Sequence, residues 1–300
     1  MTAHDDLVDR CRVSCPDFVA TSAIRRHRKS ETLEGTAMGI PVIAKRTRAA
    51  SPVWEWYAAR EIAVYQALAP RWGVSGIPSN VRLPALVAAS EDLLVIERIA
   101  GVPVASKRRP YASCSNVLDD LLATIAALER ACVSIPDLPP PAHVRTQLRD
   151  RLLEDPTSEG AWIRDGLLQC GRRGLVDAAV ADRARAAVEG AQIVFAHGDV
   201  LLRNVIAAHA GGRVTLVDWE CAGLHLRDWD RALLWTQLDD AGRLRVERSL
   251  DVVRLASFRA LVVFALAREL QFVHAFADKS ASAIRRVRDD LAGAIARLDD

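Results

Sequence analysis

Three polar residues between Val194 and Glu220 have the types and the spacing that metal-assisted phosphoryl transfer needs. Asp199 carries a carboxylate, which accepts hydrogen bonds and can therefore orient a hydroxyl nucleophile and take its proton. Asn204 and Asp218 offer an amide oxygen and a carboxylate, which are the hard ligands that one divalent cation prefers. Together the three residues predict a catalytic base next to one metal ion that the other two side chains bind.

The segment from Asn204 to Asp218 is predicted to form a β-hairpin. Apolar and β-branched residues fill both of its halves, and the glycines around Gly211 allow a tight turn. Each end of the segment lies seven residues from Gly211, so the two end residues are expected side by side at the open end of the hairpin. Asp199 is expected on the loop that leaves a strand over residues 192–196.

These residues resemble the catalytic core of the aminoglycoside phosphotransferase and choline kinase family, which are small-molecule relatives of the protein kinases. The run HGDVLLRN, residues 197–204, is similar to the family's catalytic loop, and VDWE, residues 217–220, is similar to its magnesium motif. The resemblance implies a Mg²⁺ ion held by Asn204, Asp218 and Glu220. It also implies ATP or GTP as the phosphoryl donor and a small hydroxylated molecule as the acceptor.

The same resemblance assigns roles to single residues of this segment. Asp199 is implied to be the catalytic base, and His197 to support the backbone of the loop. Asp230 is implied to brace the loop through backbone amides. Two alternatives stay open: Glu220 either reaches a second Mg²⁺ or hydrogen-bonds the loop, and Arg203 either contacts phosphate or is a surface arginine.

Strands and one helix are predicted in the first third of the chain. Residues 32–38 and 41–46 can pair across a turn at Gly39-Ile40 as a hairpin, with residues 18–25 as a possible preceding strand. Residues 53–68 have the apolar spacing of a helix with one buried face. Residues 93–99 are predicted to form a further strand. Together these elements predict a small lobe.

The resemblance also provides a nucleotide site in this lobe. Lys45 is implied to contact the α- and β-phosphates, with Glu61 as the carboxylate that pairs with it. The alternatives are an exposed lysine and glutamate, or Glu55 as the partner on the same helix. A connector follows, where the backbone carbonyl of Glu97 and the amide of Ile99 are implied to contact the adenine edge.

The turn expected between the first two strands, residues 26–31, departs from the protein-kinase pattern because it contains no glycine. Protein kinases cover the phosphates with a glycine-rich loop. Either the basic side chains of this turn and Ser30 contact phosphate in place of backbone amides, or the turn is only solvated. The departure leaves the choice between ATP and GTP open.

Beyond residue 101 the pattern is mainly helical, and it implies an α+β, protein-kinase-like fold with two lobes. We expect a nucleotide-binding lobe over residues 1–96, built from a small antiparallel sheet with one helix, and a connector over residues 97–101. Residues 102–300 are expected to form a large helical lobe with the catalytic loop, the metal site and the acceptor cleft. Helices are predicted over residues 116–132, 144–153, 161–170, 176–188, 230–238, 244–277 with a break near Asp251, and 282–298.

Composition limits the partners. The formal net charge of +2, from 40 basic and 38 acidic residues, is too balanced for a nucleic-acid-binding protein. The longest apolar run, residues 260–267, is too short to span a bilayer, and the N-terminus does not have the pattern of a signal peptide. The six cysteines form no CxxC pair, as expected for free thiols in a reducing compartment. We therefore expect a cytoplasmic protein that binds neither nucleic acid nor membrane, with its oligomeric state left open.

The acceptor is the least defined part of the prediction. Aminoglycoside kinases bind ammonium groups with acids, but here arginines accompany the candidate acids, which are Asp228, Asp239, Asp240, Glu269 and Asp278. Aromatic residues offer either a flat binding surface or core packing: Trp229, Trp235, Phe272 and His274. The leading acceptor is an aminoglycoside or another hydroxylated antibiotic. The alternatives are a metabolic alcohol such as choline, thiamine or an amino alcohol, and a nucleotide-binding pseudokinase that acts as an interaction module.

Overall fold

A computed structural model describes most of the chain, and its first part is built on an antiparallel sheet. The described residues are 3–27, 29–48, 51–71, 81–106, 113, 115–131, 133, 135, 138–208, 213–275 and 281–298. The first elements are helix α1 (Ala3–Ser14), strands β1 (Val19–Ala20), β2 (Arg25–Arg26), β3 (Ser30–Ala37) and β4 (Ile40–Thr47), helix α2 (Pro52–Leu68), and strands β5 (Leu86–Ala89) and β6 (Leu93–Glu97). The strand order is β1-β3-β4-β6-β5, and β2 also pairs with β3.

The hairpin of β3 and β4 turns on Met38 and Gly39. Both residues have positive φ, 51° and 74°, and Ala37 pairs with Ile40 across the turn. A two-residue turn of this kind matches the right-handed twist of the two strands. The predicted hairpin is therefore confirmed, with its turn one residue earlier than expected.

Helix α1 covers one face of this sheet and was not predicted. Leu7, Cys11 and Cys15 are buried at helical spacing in one apolar cluster with Phe18 and the sheet. Half of the other residues of the helix are charged, so its apolar stripe is narrow. The expectation of one helix in this lobe missed α1, although the spacing of its buried residues could have revealed it.

The rest of the chain is mainly helical and carries two small sheets. Its strands are β7 (Val102–Pro103), β8 (Ile193–Ala196), β9 (Val205–Ala207), β10 (Thr215–Leu216) and β11 (Gly223–Leu226). Its helices are α3 (Ser115–Arg130), α4 (Ala142–Arg151), α5 (Ala161–Arg172), α6 (Ala178–Ala187), α7 (Trp229–Trp235), α8 (Asp240–Arg248), α9 (Val252–Ala275) and α10 (Ala281–Ala296). Strands β10, β9 and β7 form one sheet, and β11 pairs with β8.

Helix α9 is the centre of the larger core. Its residues 260–267 are all buried, and it packs against α5, α6, α7 and α10. The close approach of α5 depends on Gly166, where a Cβ atom would lie 2.5 Å from the ring of Phe264. The predicted break near Asp251 is confirmed, because α8 ends at residue 248 and α9 begins at residue 252. None of the helices in the described ranges is both long enough and apolar enough to cross a membrane.

The hairpin of β9 and β10 differs in register from the sequence prediction. Val205 pairs with Leu216, and the amide of Val217 donates to the carbonyl of Asn204 at 2.9 Å. Asn204 therefore lies opposite Val217, and the predicted pairing with Asp218 is wrong by one residue. Asp218 has left the strand, because its φ of 67° is left-handed. The turn expected at Gly211 lies outside the described residues.

Helix α2 joins the sheet to the helical part. The hydroxyl of Tyr57 donates to the carbonyl of Glu154 at 2.7 Å, and the indole of Trp56 donates to the carbonyl of Leu138 at 3.1 Å. The guanidinium of Arg60 donates to the carbonyl of Ala222. These bonds fix the helix against three segments of the helical part, and the bond of Arg60 reaches the segment that follows Asp218.

Candidate active site

Strand β4 and helix α2 bring Lys45 and Glu61 together with Asp218. The Nζ atom of Lys45 lies 2.6 Å from Glu61 Oε2 and 2.6 Å from Asp218 Oδ1. Lys45 pairs with Leu94 in the neighbouring strand β6, which fixes its backbone inside the sheet. Glu61 is buried, and Glu55 takes no part in this contact. One ion-paired row of side chains thus links the sheet to the segment after β10.

The charges in this row hold one another ionised. Burial opposes the charged form of Lys45, but Asp218 and Glu61 raise its pKa well above the usual range. Burial also opposes the charge on Asp218, yet Lys29 and Lys45 hold its pKa well below the usual range. Both groups therefore stay charged at neutral pH.

Asp218 adopts a backbone conformation that is unusual for a residue with a side chain. Its φ of 67° and ψ of 62° are left-handed, which costs about 1–2 kcal/mol in an L-residue, and aspartate is among the residues that tolerate it best. The chain then makes a 3₁₀ turn over Trp219–Cys221, and the buried indole of Trp219 donates to the carbonyl of Leu216 at 2.9 Å. This turn brings Glu220 back towards Asp218.

Lys29 reaches the same two acids from the loop between β2 and β3. Its Nζ atom contacts Glu220 Oε1 and lies 3.8 Å from Asp218 Oδ2. Burial raises the pKa of Glu220 to about 7, although Lys29 lowers it. The sequence predicts this loop either on phosphate or in solvent, and a contact between Lys29 and the acids is not among its predictions.

Asp199 and Asn204 lie together on the loop after β8. The Nδ2 group of Asn204 donates to the carbonyl of Asp199 at 3.1 Å and to its Oδ2 atom at 3.0 Å. The guanidinium of Arg203 lies 3.9 Å from the same carboxylate, close to the surface. Asp199 itself is buried, so the loop holds a carboxylate in a fixed direction.

Residues of α7 and of the turn after it hydrogen-bond to the backbone of the loop that carries Asp199. The two oxygens of Asp230 accept hydrogen bonds from the amides of His197 and Gly198, both at 2.9 Å. The indole of Trp229 donates to the carbonyl of Gly198 at 3.0 Å. Gln237 accepts from the amide of Leu202 at 2.7 Å, and sequence reasoning missed it because no local signal marks a polar residue so far along the chain.

His197 has the position of a supporting residue. Its ring is buried, with Nε2 3.1 Å from the carbonyl oxygen of Val217, and it packs edge-on against Trp219. Burial lowers the pKa of His197 to about 4, against the opposing influence of nearby carboxylates. The neutral imidazole therefore donates from Nε2 and ties the loop to the strand end before Asp218.

The acids of this region can hold a hard cation. Carboxylate oxygens of Glu61, Asp218 and Glu220 all lie within 4.8 Å of one another. Glu61 is engaged by Lys45. Asn204 directs its Nδ2 group to Asp199, so its amide oxygen is the only atom of that side chain that can serve a cation. Oxygen donors of this kind fit Mg²⁺.

The strand end at Glu97 is fixed on both sides. Its carboxylate accepts from Arg82 and from the amide of Ala85, the latter at 3.2 Å. The amide of Arg98 donates to the carbonyl of Pro41 at 2.8 Å. Ile99 follows as a half-buried residue where the chain leaves the sheet.

Most of the acceptor candidates have other partners. Asp228 is buried and accepts from Arg231 at 2.9 Å and from Arg254 at 3.0 Å. Asp239 caps α8, with its carboxylate accepting from the amide of Gly242 at 2.8 Å. Trp229 and Trp235 are fully buried, so the core alternative holds for both. Glu269 is buried and Phe272 is half-buried, whereas Asp278 and the side chain of His274 lie outside the described residues.

Sequence comparison gives a family. A sequence model with the description "Phosphotransferase enzyme family" matches residues 32–270, which include Lys45, Glu61, Asp199, Asn204 and Asp218. None of the curated proteins matches the chain.

Three solved structures are similar over nearly the whole chain. The first is a macrolide 2'-phosphotransferase, MphH from Brachybacterium faecium, with a TM-score of 0.59, 15% identity, and coverage of 96% of this chain and 97% of that chain. The second is a thermostable mutant of the aminoglycoside phosphotransferase APH(4)-Ia in a ternary complex with ADP and hygromycin B, with a TM-score of 0.55, 16% identity, and coverage of 100% and 97%. The third is an ethanolamine kinase from Plasmodium vivax, with a TM-score of 0.53, 10% identity, and coverage of 97% and 84%. At these identities the likeness shows a common protein-kinase-like fold.

Proposed function

The chain belongs to the phosphotransferase enzyme family, and we propose that it transfers the γ-phosphoryl group of ATP or GTP to a hydroxyl group of a small molecule. The observation that carries the proposal is the ion-paired row of Glu61, Lys45 and Asp218, in which Lys45 lies 2.6 Å from each acid. It joins the sheet, where a phosphate lysine is needed, to the cation ligands of the helical part.

The nucleotide lies between the two parts of the chain in this proposal. Lys45 donates to the α- and β-phosphates, and Glu61 holds its ammonium in place. The backbone at Glu97 and Ile99 contacts the base. A nucleotide donor is supported by the similar structure of APH(4)-Ia, which was determined with ADP. The corresponding lobes are residues 1–96 and 102–300, with residues 97–101 as the connector.

The metal site consists of Asp218, Glu220 and the amide oxygen of Asn204. Bound Mg²⁺ supplies charge neutralisation at the phosphates of the nucleotide. Asp218 is the central ligand, because it also touches Lys45 and so keeps the metal ligands and the phosphate lysine in one arrangement. Glu220 adds a second carboxylate from the 3₁₀ turn.

Asp199 acts as the base. Its carboxylate accepts a hydrogen bond from the acceptor hydroxyl and takes the proton as that oxygen bonds to the γ-phosphorus. The bond from the γ-phosphorus to the β,γ-bridging oxygen breaks in the same step, and ADP or GDP leaves. The amide of Asn204 fixes one carboxylate oxygen at 3.0 Å, which sets the direction in which the hydroxyl is held. Because the transferred group requires little covalent chemistry from the protein, most of the rate comes from positioning and charge stabilisation.

A hydroxylated antibiotic is the proposed acceptor, in the cytoplasm, where the buried free thiols of Cys11, Cys15, Cys170 and Cys221 would remain reduced. The similar structures include enzymes named for a macrolide and for an aminoglycoside, the latter bound to hygromycin B. A polycationic aminoglycoside requires free acids, yet Asp228 is already neutralised by Arg231 and Arg254. This pairing favours acceptors with few ammonium groups.

The second candidate acceptor is a metabolic amino alcohol. It needs only one anionic or aromatic contact for its single ammonium group, so it does not require a cluster of acids. The likeness to an ethanolamine kinase over 97% of this chain supports it.

A mass-spectrometric screen tests these proposals together. The protein is incubated with Mg²⁺ and ATP or GTP, and with aminoglycosides, macrolides, choline, ethanolamine, thiamine and sugars in separate reactions. We expect a gain of one phosphoryl group on one acceptor class, dependent on Mg²⁺ and lost in Asp199→Asn. Asp182→Asn is the matched control, since that carboxylate is exposed on α6 and has no role in the proposed site. Tight nucleotide binding without any product in all classes would count against transfer and favour the pseudokinase.

A further inference from the structure

The loop before β3 carries a second ammonium group into the cluster of acids. Lys29 Nζ contacts Glu220 Oε1 and lies 3.8 Å from Asp218 Oδ2. Lys45 occupies the other side, with its Nζ 2.6 Å from Asp218 Oδ1. The carboxylate of Asp218 is therefore shared between two lysines, one on each oxygen.

The positive charges of the two lysines offset most of the negative charge of the three acids. Three carboxylates, those of Glu61, Asp218 and Glu220, lie close enough to share a cation, and the ammonium groups of Lys29 and Lys45 lie among them. Three negative charges this close together, two of them buried, would repel one another strongly without such partners. Lys29 therefore supplies the positive charge that a metal ion would supply at Glu220.

The two lysines differ in how freely they can move. Lys45 lies on a central strand of the sheet, and 18% of its side chain is exposed. Lys29 lies on a loop, 30% of its side chain is exposed, and its carbonyl accepts one hydrogen bond from the amide of Arg48 at 3.0 Å. Its Nζ also lies 5.8 Å from the ring centre of Trp54, which gives the ammonium a second surface on which to rest. A side chain of this kind can leave Glu220 without a change in the sheet.

We infer that Lys29 is a built-in counter-cation of the metal site, which leaves Glu220 and Asp218 when Mg²⁺ arrives with a nucleotide and then binds the phosphates. The second step, in which Lys29 binds the phosphates, rests on the proposed function. A hard dication and an ammonium group compete for the same carboxylate oxygens, so they cannot both occupy them. The released ammonium lies beside the triphosphate, where it forms charge-assisted hydrogen bonds. The loop without glycine thus has a use for a basic side chain.

The first consequence concerns the affinity for the metal ion. The protein should bind the metal weakly on its own and more tightly when a nucleotide is present. Without nucleotide the metal must displace Lys29 and leave its charge unpaired, whereas with nucleotide the displaced lysine gains phosphate partners. The affinity for metal and the affinity for nucleotide are therefore coupled through Lys29.

Titration with Mn²⁺, followed by its electron paramagnetic resonance signal, tests this coupling. Lys29→Met should bind Mn²⁺ in the absence of nucleotide at least about tenfold more tightly than the unaltered protein. The same variant should bind Mn²⁺-ADP at least about threefold more weakly. Arg26→Met is the matched control, because Arg26 ends strand β2 three residues before Lys29 and pairs with Glu31 at 3.1 Å. This variant should leave both affinities unchanged. Unchanged Mn²⁺ affinity in Lys29→Met overturns the inference.

A second measurement uses the unaltered protein and does not depend on the folding of a variant. The sequence contains lysine only at positions 29, 45, 107 and 279, so acylation of Lys29 can be followed separately by peptide mass spectrometry. Ion pairing with Glu220 protects the amine, because acylation needs its neutral form. Saturating Mn²⁺ alone should speed the acylation of Lys29 severalfold, and Mn²⁺ with ADP should slow it again. A rate for Lys29 that does not respond to Mn²⁺ contradicts the exchange.

Neither measurement requires phosphoryl transfer, so the two proposals fail separately. Tighter Mn²⁺ binding by Lys29→Met in a protein that phosphorylates no acceptor supports the counter-cation and counts against the proposed function. Unchanged metal affinity in a protein that does phosphorylate an acceptor removes only the inference about Lys29.

Discussion

Two loops with charged side chains approach the segment 217–220, and they are held in different ways. Residues 197–204 are braced by Asp230, Trp229 and Gln237, which bind the loop through its backbone amides and carbonyls. His27 and Lys29 are held by the bond from the amide of His27 to the carbonyl of Ser30 and by bonds from Arg48 to the carbonyls of His27 and Lys29. The first loop is built to keep a carboxylate in one position, and the second allows an ammonium group to move.

The difference follows from what each loop has to do. A base must already have its direction when the acceptor arrives, because misplacement of the reacting atoms lowers the rate steeply. A group that contacts both the empty metal site and the phosphates must change its partners. Burial separates the two loops in the same way, since His197 and Asp199 are buried and Lys29 is partly exposed.

The largest effect is expected from a methyl group in the braced loop. Gly198 has φ of 82°, and a Cβ atom there would lie 2.2 Å from the carbonyl oxygen of Cys221 and 2.8 Å from the ring of His225. Gly198→Ala should therefore lower the free energy of unfolding by more than about 3 kcal/mol, since the nearest obstacle is backbone.

Gly39 provides the matched control for this substitution. Its φ of 74° is nearly the same, but nothing lies within 4 Å of the position of a Cβ atom in the β3–β4 turn. Gly39→Ala should cost only about 1 kcal/mol, from backbone strain alone. Urea unfolding of both variants measures the difference, and equal losses would contradict the view that the loop at Gly198 is held more tightly.

Asp199→Asn should abolish most of the activity without loosening the loop. The amide cannot take a proton, so turnover should fall at least about a hundredfold. Its carbonyl oxygen can still accept from Asn204, which now lies 3.0 Å from the carboxylate, and the unfolding temperature should change by less than about 3 °C. Kinetics and thermal unfolding of the same preparation check both statements. Turnover within threefold of the unaltered enzyme would exclude Asp199 as the base.

Acidic pH should lower the free energy of unfolding through His225, which lies next to Gly198. Burial lowers the pKa of His225 to about 4, and Nε2 of this ring donates to the carbonyl of Cys221 at 2.9 Å. The unfolded chain takes up the proton near its ordinary pKa of about 6.5, so stability is fully present above that pH and is lost as pH falls towards 4. The loss from His225 should reach about 2 kcal/mol at pH 5.

His225→Gln isolates this contribution, because glutamine can still donate to the carbonyl of Cys221 but does not titrate. Urea unfolding at pH 7.5 and pH 5.0 gives the change in free energy for each protein. The variant should show a drop that is smaller by about 2 kcal/mol, and an identical drop in both proteins would mean that His225 does not cause the acid sensitivity.

The sequence predicts the contacts of the loop over residues 197–204 better than the contacts of Lys29. Residues 197–204 form a contiguous motif, and their apolar and polar pattern is local, so the types of the site residues could be read directly. The contact of Lys29 with Glu220 joins positions 191 residues apart, and no periodicity connects them. Gln237 was missed for the same reason, because its partner Leu202 lies 35 residues away.

Secondary structure, too, is predicted well where the pattern is local and poorly where it depends on a single backbone conformation. The helices with a regular apolar stripe, such as α3 and α5, were predicted with their ends within about two residues. The register of β9 and β10 was wrong by one residue, because it depends on where Asp218 leaves the strand, and the left-handed conformation of that residue has no sequence signal apart from being aspartate.

The smallest effect is expected at Arg26, which ends strand β2 next to the loop that carries Lys29. Arg26 pairs with Glu31 at 3.1 Å, and 60% of its side chain is exposed, so solvent screens the pair. Arg26→Met should change the free energy of unfolding by less than about 0.5 kcal/mol and KM for the nucleotide by less than about twofold. Calorimetry and steady-state kinetics, each compared with Lys29→Met, provide the test. A tenfold rise in KM for Arg26→Met would mean that the loop binds phosphate through its general basic charge, and that Lys29 is not set apart from its neighbours by its place beside Glu220.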